Sequence, residues 1–159
     1  MNFDQAFHQL LGHEGSFVDH PADPGGATMW GITERVARAN GYKGHMRDFP
    51  VSLAKQIYRA SYWDAVRADE LPAVARYSVF DAAVNSGVSQ SVKWLQRALG
   101  VSDDGAIGPK TLAAAKTADG QALKAKMLGA RLQFMADLPS WPSFGRGWAR
   151  RVASLLVSP

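Results

Sequence analysis

Two carboxylic acids, a hydroxyl and an indole stand close together near the start of this chain: Glu14, Asp23, Thr28 and Trp30. Asp23 sits in a Pro-Ala-Asp-Pro-Gly-Gly stretch that reads as a turn. Carboxyl groups held on separate rigid elements are what acid/base cleavage of a sugar polymer needs. One must stay protonated to donate to the leaving oxygen. The other must stay ionised, to orient a water or to stabilise an oxocarbenium-like centre. Glu14 is expected to follow a helix C-terminus, where the helix dipole and nearby apolar side chains disfavour its ionised form. Asp23, in a polar turn, suits the second role. Thr28 is placed to help hold the water, and Trp30 offers a flat face for a sugar ring.

These groups need elements to carry them. Phe3, Phe7, Leu10 and Leu11 recur at helical spacing, with Asn2 as N-cap and Gly12 and Gly15 bracketing the end. Thr28, Trp30 and Ile32 alternate, predicting a short strand paired back on Phe17-Val18-Asp19. Thr33 is read as the cap of a second helix ending at Asn40-Gly41, and Ser52 as the cap of a third running toward Trp63. Val74, Val79, Phe80, Ala83 and Val84 predict a central buried helix from Leu71-Pro72 to about Val84. Ser89 is read as the cap of the next helix, which stops at Gly100. Asp103-Asp104-Gly105 reads as a turn, and Gly108-Pro109 opens a further helix. A long helix is predicted from about Gln121 to Ala136. The tail, rich in proline, glycine and aromatics, closes on a basic segment from Trp148 to Leu156.

Composition narrows the classes. The 159 residues are 47% apolar and 20% charged, which suits a globular protein and not a disordered one. With no cysteine, disulfides, thiolate metal sites and cysteine nucleophiles are excluded. His8, His13 and His20 do not form the His-Glu-x-x-His pattern, so no metal and no cofactor are expected. The net charge of +4 favours an anionic partner. Nucleic acid is not expected, because no zinc-finger spacing, ribonucleoprotein motif or long basic helix is present. The N-terminus lacks the pattern of a secretory signal. The expectation is a product made in the cytoplasm, which something else must deliver if its substrate lies outside the membrane.

The run from Glu14 to Thr33 resembles the signature of glycoside hydrolase family 108, roughly Glu-Gly-Gly-aromatic followed by Asp-Pro-Gly-Gly-x-Thr-x-x-Gly-Ile-Thr/Ser. Ser16 stands where the family pattern has its second glycine. That family comprises N-acetylmuramidases of phage endolysins and of bacterial protein-secretion accessory systems, so the resemblance implies a protein made in the bacterial cytoplasm that reaches the cell wall through a partner such as a holin. The resemblance implies Glu14 as catalytic acid. A looser likeness to phage-type lysozymes makes Asp23 and Thr28 candidates for the second carboxylate and the water-positioning hydroxyl, with Asp19 the competing carboxylate. Tyr62-Trp63-Asp64 and Phe80-Asp81-Ala82-Ala83-Val84-Asn85-Ser86-Gly87 look like later family segments. They add Tyr62 and Asn85 to Trp30 as candidate sugar contacts, with Asp81 favoured for a structural role. Asp104-Gly105-Ala106-Ile107-Gly108-Pro109-Lys110-Thr111-Leu112 is similar to a motif of peptidoglycan-binding domains.

The resemblance implies a mainly α, lysozyme-like α+β fold with a small β-hairpin beside an active-site cleft. Residues 1–87 would form the catalytic lobe and residues 88–159 a helical peptidoglycan-binding-like lobe packed into the same globular unit. The implied activity is hydrolysis of the β-1,4 bond between N-acetylmuramic acid and N-acetylglucosamine in peptidoglycan, by a monomer. Two other classes are distinguishable. A non-catalytic wall-binding or secretion-accessory protein would bind peptidoglycan without new reducing ends. A membrane-active lysis protein would act through the basic C-terminal segment, with Arg146, Arg150 and Arg151 meeting an anionic membrane surface.

Overall fold

In a computed structural model, which describes residues 1–12, 16–19 and 26–158, the first helix forms where the apolar period puts it. This helix, α1 (Phe3–Leu11), buries Phe3, Ala6, Phe7 and Leu10 and exposes the face between them. Its start is a reciprocal capping box. The Asn2 side chain accepts from the Gln5 amide at 3.0 Å, and the Gln5 side chain accepts from the Asn2 amide at 3.0 Å. Gly12 is the C-cap. Glu14 and Asp23, like His13 and His20, lie outside the described residues.

The residues cluster into two compact units, Asn2–Trp63 and Asp64–Pro159 with Met1. In the first, β1 (Thr28–Met29) and β2 (Ile32–Thr33) form an antiparallel hairpin, with Thr28 opposite Thr33 and Met29 opposite Ile32. The predicted pairing on Val18 is present as an isolated bridge between Val18 and Thr28. The predicted single strand is instead broken at Trp30-Gly31, where both residues take positive φ, 54° and 73°. Two such residues in a row meet the requirement of a type I′ turn, so alternation gives way to reversal. Thr33 caps α2 (Glu34–Ala39), accepting from the Val36 amide. Then α3 (Val51–Tyr58) follows Pro50 directly, so Ser52 lies inside its first turn and does not cap it. A π-helical turn, Arg59–Trp63, continues it to Trp63. Phe3, Phe7, Tyr58 and Trp63 interlock as the core of this unit, with ring centroids 5.6–6.0 Å apart.

The second unit is built around α4 (Arg76–Ser86), whose residues from Tyr77 to Ala83 are all buried. It begins later than predicted because Pro72 to Ala75 form a turn, closed by the Ala75 amide donating to the Pro72 carbonyl at 2.9 Å. Gly87, at φ 87°, ends α4 and starts α5 (Val88–Leu99) at once, which places Ser89 in the first turn and not at the cap. The Ser91 hydroxyl donates to the Val79 carbonyl at 2.7 Å and ties α5 to α4. Then come α6 (Pro109–Thr117), α7 (Gly120–Ala136), capped by the Asp119 side chain, and α8 (Trp141–Val157). The tail is thus one helix from Trp141 onward. Pro142 lies in its first turn, where a missing amide hydrogen costs nothing, and Gly145 lies beneath the Trp141 ring where a Cβ would not fit. No helix of the described residues is long and apolar enough to cross a membrane.

Candidate active site

The hairpin is the element around which the site can be built. Thr28 is clamped on both sides: its amide donates to Val18 at 2.7 Å and its carbonyl accepts from Val18 at 2.9 Å, while its register partner is Thr33. In sequence, Asp23 lies between the two bridged residues and Glu14 two residues beyond the α1 C-cap. Asp19, adjoining the bridge, is exposed. Glu34, whose side chain reaches Gly26, is engaged by Arg38 at 2.7 Å.

Trp30 is half-buried and is held at both ends. Its indole Nε1 donates to the Phe49 carbonyl at 2.9 Å, and its own carbonyl accepts from the Tyr58 hydroxyl at 3.2 Å. A bulky residue at positive φ is a true outlier, costing on the order of 1–3 kcal/mol, and persists only where its surroundings over-determine it. Tyr58 is buried between Phe7 and Tyr62, with ring centroids 5.8 and 5.7 Å away. Tyr62 is half-buried and belongs to the π-helical turn, a distortion frequent at functional sites. Tyr58 thus touches both the Trp30 backbone and the Tyr62 ring, a link that sequence reasoning missed. The available signal was the general one that a buried tyrosine hydroxyl needs a partner. Phe17, half-buried, lies under the Arg47 guanidinium, 4.1 Å from the ring centre.

Asn85 belongs to the second unit, near the end of α4; it is exposed, and its amide donates to the Asp81 carbonyl at 2.7 Å. Asp81 takes the structural role expected of it. Its carboxylate is 1% exposed and accepts from Arg131 at 2.6 Å and from Arg151 at 2.6 Å. Of the three C-terminal arginines, Arg151 is thus committed inward, while Arg146 and Arg150 are exposed. On α8, Val152 and Leu155 are buried, while Phe144, Leu156 and Val157 are exposed.

The Asp-Gly-x-Ile-Gly-Pro segment is organised by the buried Gln96 of α5. The Gln96 Nε2 group faces Asp104 Oδ1 at 2.8 Å, the Ala106 carbonyl at 3.0 Å and the Thr111 hydroxyl at 3.2 Å, and its Oε1 accepts from the Gly105 amide at 2.9 Å. Asp104 also accepts from the Ala106 amide, and that backbone bond, then Gln96, holds its carboxyl below the ordinary aspartate value. These bonds tie the loop to α5 and shape the start of α6.

Among the described residues, a mainly helical chain with a small antiparallel hairpin and a buried central helix has the lysozyme-like, mainly α architecture. The solved structure of Brucella abortus SagA matches over 97% of this chain and 91% of that one, at 37% identity and a TM-score of 0.86. It is among 12 chains of known structure that match. No curated protein matches significantly. The model of the family described as glycosyl hydrolase 108 matches residues 7–87, and one described as a predicted peptidoglycan domain matches residues 90–153. The chain belongs to the glycosyl hydrolase 108 family, and it is a glycoside hydrolase acting on peptidoglycan.

Proposed function

We propose that the protein is an endolysin-type muramidase that hydrolyses the β-1,4 bond between N-acetylmuramic acid and N-acetylglucosamine. The observation that carries the reading is the frame around the signature: α1 ends at Gly12 just before Glu14, and the Val18–Thr28 bridge flanks Asp23 in sequence. Glu14 protonates the glycosidic oxygen as the bond to the anomeric carbon breaks. Asp23 takes a proton from the attacking water or stabilises the oxocarbenium-like centre, and the Thr28 hydroxyl orients the water. Trp30 and Tyr62 supply faces for the sugar rings.

Mass spectrometry of fragments released from purified peptidoglycan tests this. The wild type is expected to leave reducing N-acetylmuramic acid ends. Glu14→Gln is expected to lower the rate by about 10²–10⁴, the usual worth of a general acid. Asp23→Asn should do likewise; if Asp19→Asn does so instead, the second carboxylate is Asp19. Anhydro ends would replace hydrolysis by transglycosylation. Binding without cleavage by the wild type would make the chain a wall-binding module. Lysis of cells by Glu14→Gln that is lost on removing residues 146–159 would make it a membrane-active protein.

A further inference from the structure

A groove of about 340 Å³ opens in the second unit where the end of α5, the end of α6 and the first turns of α7 meet. Ala98, Ala114, Ala118 and Ala122 are among the residues that line it, and so are Asp119 and Lys126. Asp119 at the N-cap and Ala122 and Lys126 within α7 follow each other at helical spacing, and all three are exposed. Asp119 uses Oδ1 to cap α7 at 2.7 Å. Lys126 has no ion-pair partner among the described residues. No aromatic ring lines the groove, so it lacks the flat face on which sugars stack.

We propose that this groove binds the peptide stem of peptidoglycan and not its glycan strand. The inference rests on the reading that the chain acts on peptidoglycan. A stem peptide carries methyl side chains, several carboxylates and, where it contains a diamino acid, one ammonium group. The alanine methyls let such a backbone approach closely, Lys126 meets a carboxylate, and Asp119 meets the ammonium. The site thus holds the wall by its peptides while the carboxylates of the signature work on the sugars.

The test is to titrate the full chain with a free tetrapeptide stem, L-alanyl-γ-D-glutamyl-diaminopimelyl-D-alanine, followed by NMR amide shifts and calorimetry. Shifts are expected at the groove residues. Ala122→Trp, which fills the groove from an exposed helical position, should weaken binding at least tenfold. Lys126→Glu should weaken it about tenfold and flatten its salt dependence. Neither should change hydrolysis of glycan strands stripped of their peptides. Should Ala122→Trp fail to fold, the shift map and Lys126→Glu, a change on an exposed face, decide the matter. No stem binding by the wild type, equal binding by Lys126→Glu, or groove shifts caused by peptide-free glycan would overturn the proposal. Failure of the wild type to cleave stripped glycan strands would instead overturn the muramidase reading, and the peptide titration stands apart from it.

Discussion

At Trp30 a large side chain sits on a backbone conformation that ordinarily selects glycine. The strain is tolerable because Phe49 and Tyr58 hold the residue from two directions. Replacing Tyr58 with phenylalanine keeps the packing against Phe7 and Tyr62 and removes one hydroxyl. The lost bond should cost about 0.5–1.5 kcal/mol in unfolding free energy. The turn would also be freer to relax, and with it the register of Thr28. Misplacement of a positioned group acts on turnover, so kcat is expected to fall about tenfold with KM nearly unchanged. Steady-state kinetics on peptidoglycan beside a denaturation curve checks both. An unchanged kcat with the stability loss present would confine Tyr58 to folding.

Among the elements, the loop before α6 depends most on one side chain. Gln96 is 1% exposed and satisfies three groups of the Asp-Gly-x-Ile-Gly-Pro segment. Gln96→Leu should destabilise by about 1–3 kcal/mol, since the groups it served lose their partner. The loop should also be acid-sensitive. The Arg97 guanidinium beside Asp103, and the Ala106 amide and Gln96 on Asp104, hold both carboxyls below the ordinary value of 3.8. A depressed folded-state value means the contribution is complete above 3.8 and is lost as pH falls through the lowered value. Melting temperature against pH should therefore drop more steeply at the acid end in the wild type than in an Asp103→Asn, Asp104→Asn double variant.

For the molecule as a whole, the most telling bond joins three distant parts of the chain. Asp81 on α4, Arg131 on α7 and Arg151 on α8 meet in the interior of the second unit, with Asp81 and Arg131 1% and 2% exposed. Removing one partner of a buried pair strands the other charge, so Asp81→Ala should cost about 3–5 kcal/mol. Replacing Arg151 by alanine should cost less, because the carboxylate keeps Arg131 and the Arg151 side chain is a quarter exposed. Urea unfolding of the two variants measures the ordering. Equal losses would mean that burial does not set the worth of these contacts.

Local patterns in the sequence were enough for much of this. The capping box at Asn2, the apolar face of α1, the glycine stops at Gly87 and Gly100, and the proline start of α6 are each decided within a few residues of chain. The hydrolase signature was legible for the same reason, because its residue types stand close in order. Tertiary structure alone decided the rest. Alternation at Thr28, Trp30 and Ile32 could not show a reversal at a tryptophan, because the groups that hold that conformation lie 19 and 28 residues away. Nor could the basic tail show which arginine turns inward, since its carboxylate partner is 70 residues upstream. Distant polar partners leave no periodicity in the chain. They become visible only when packing removes the water that would otherwise satisfy them.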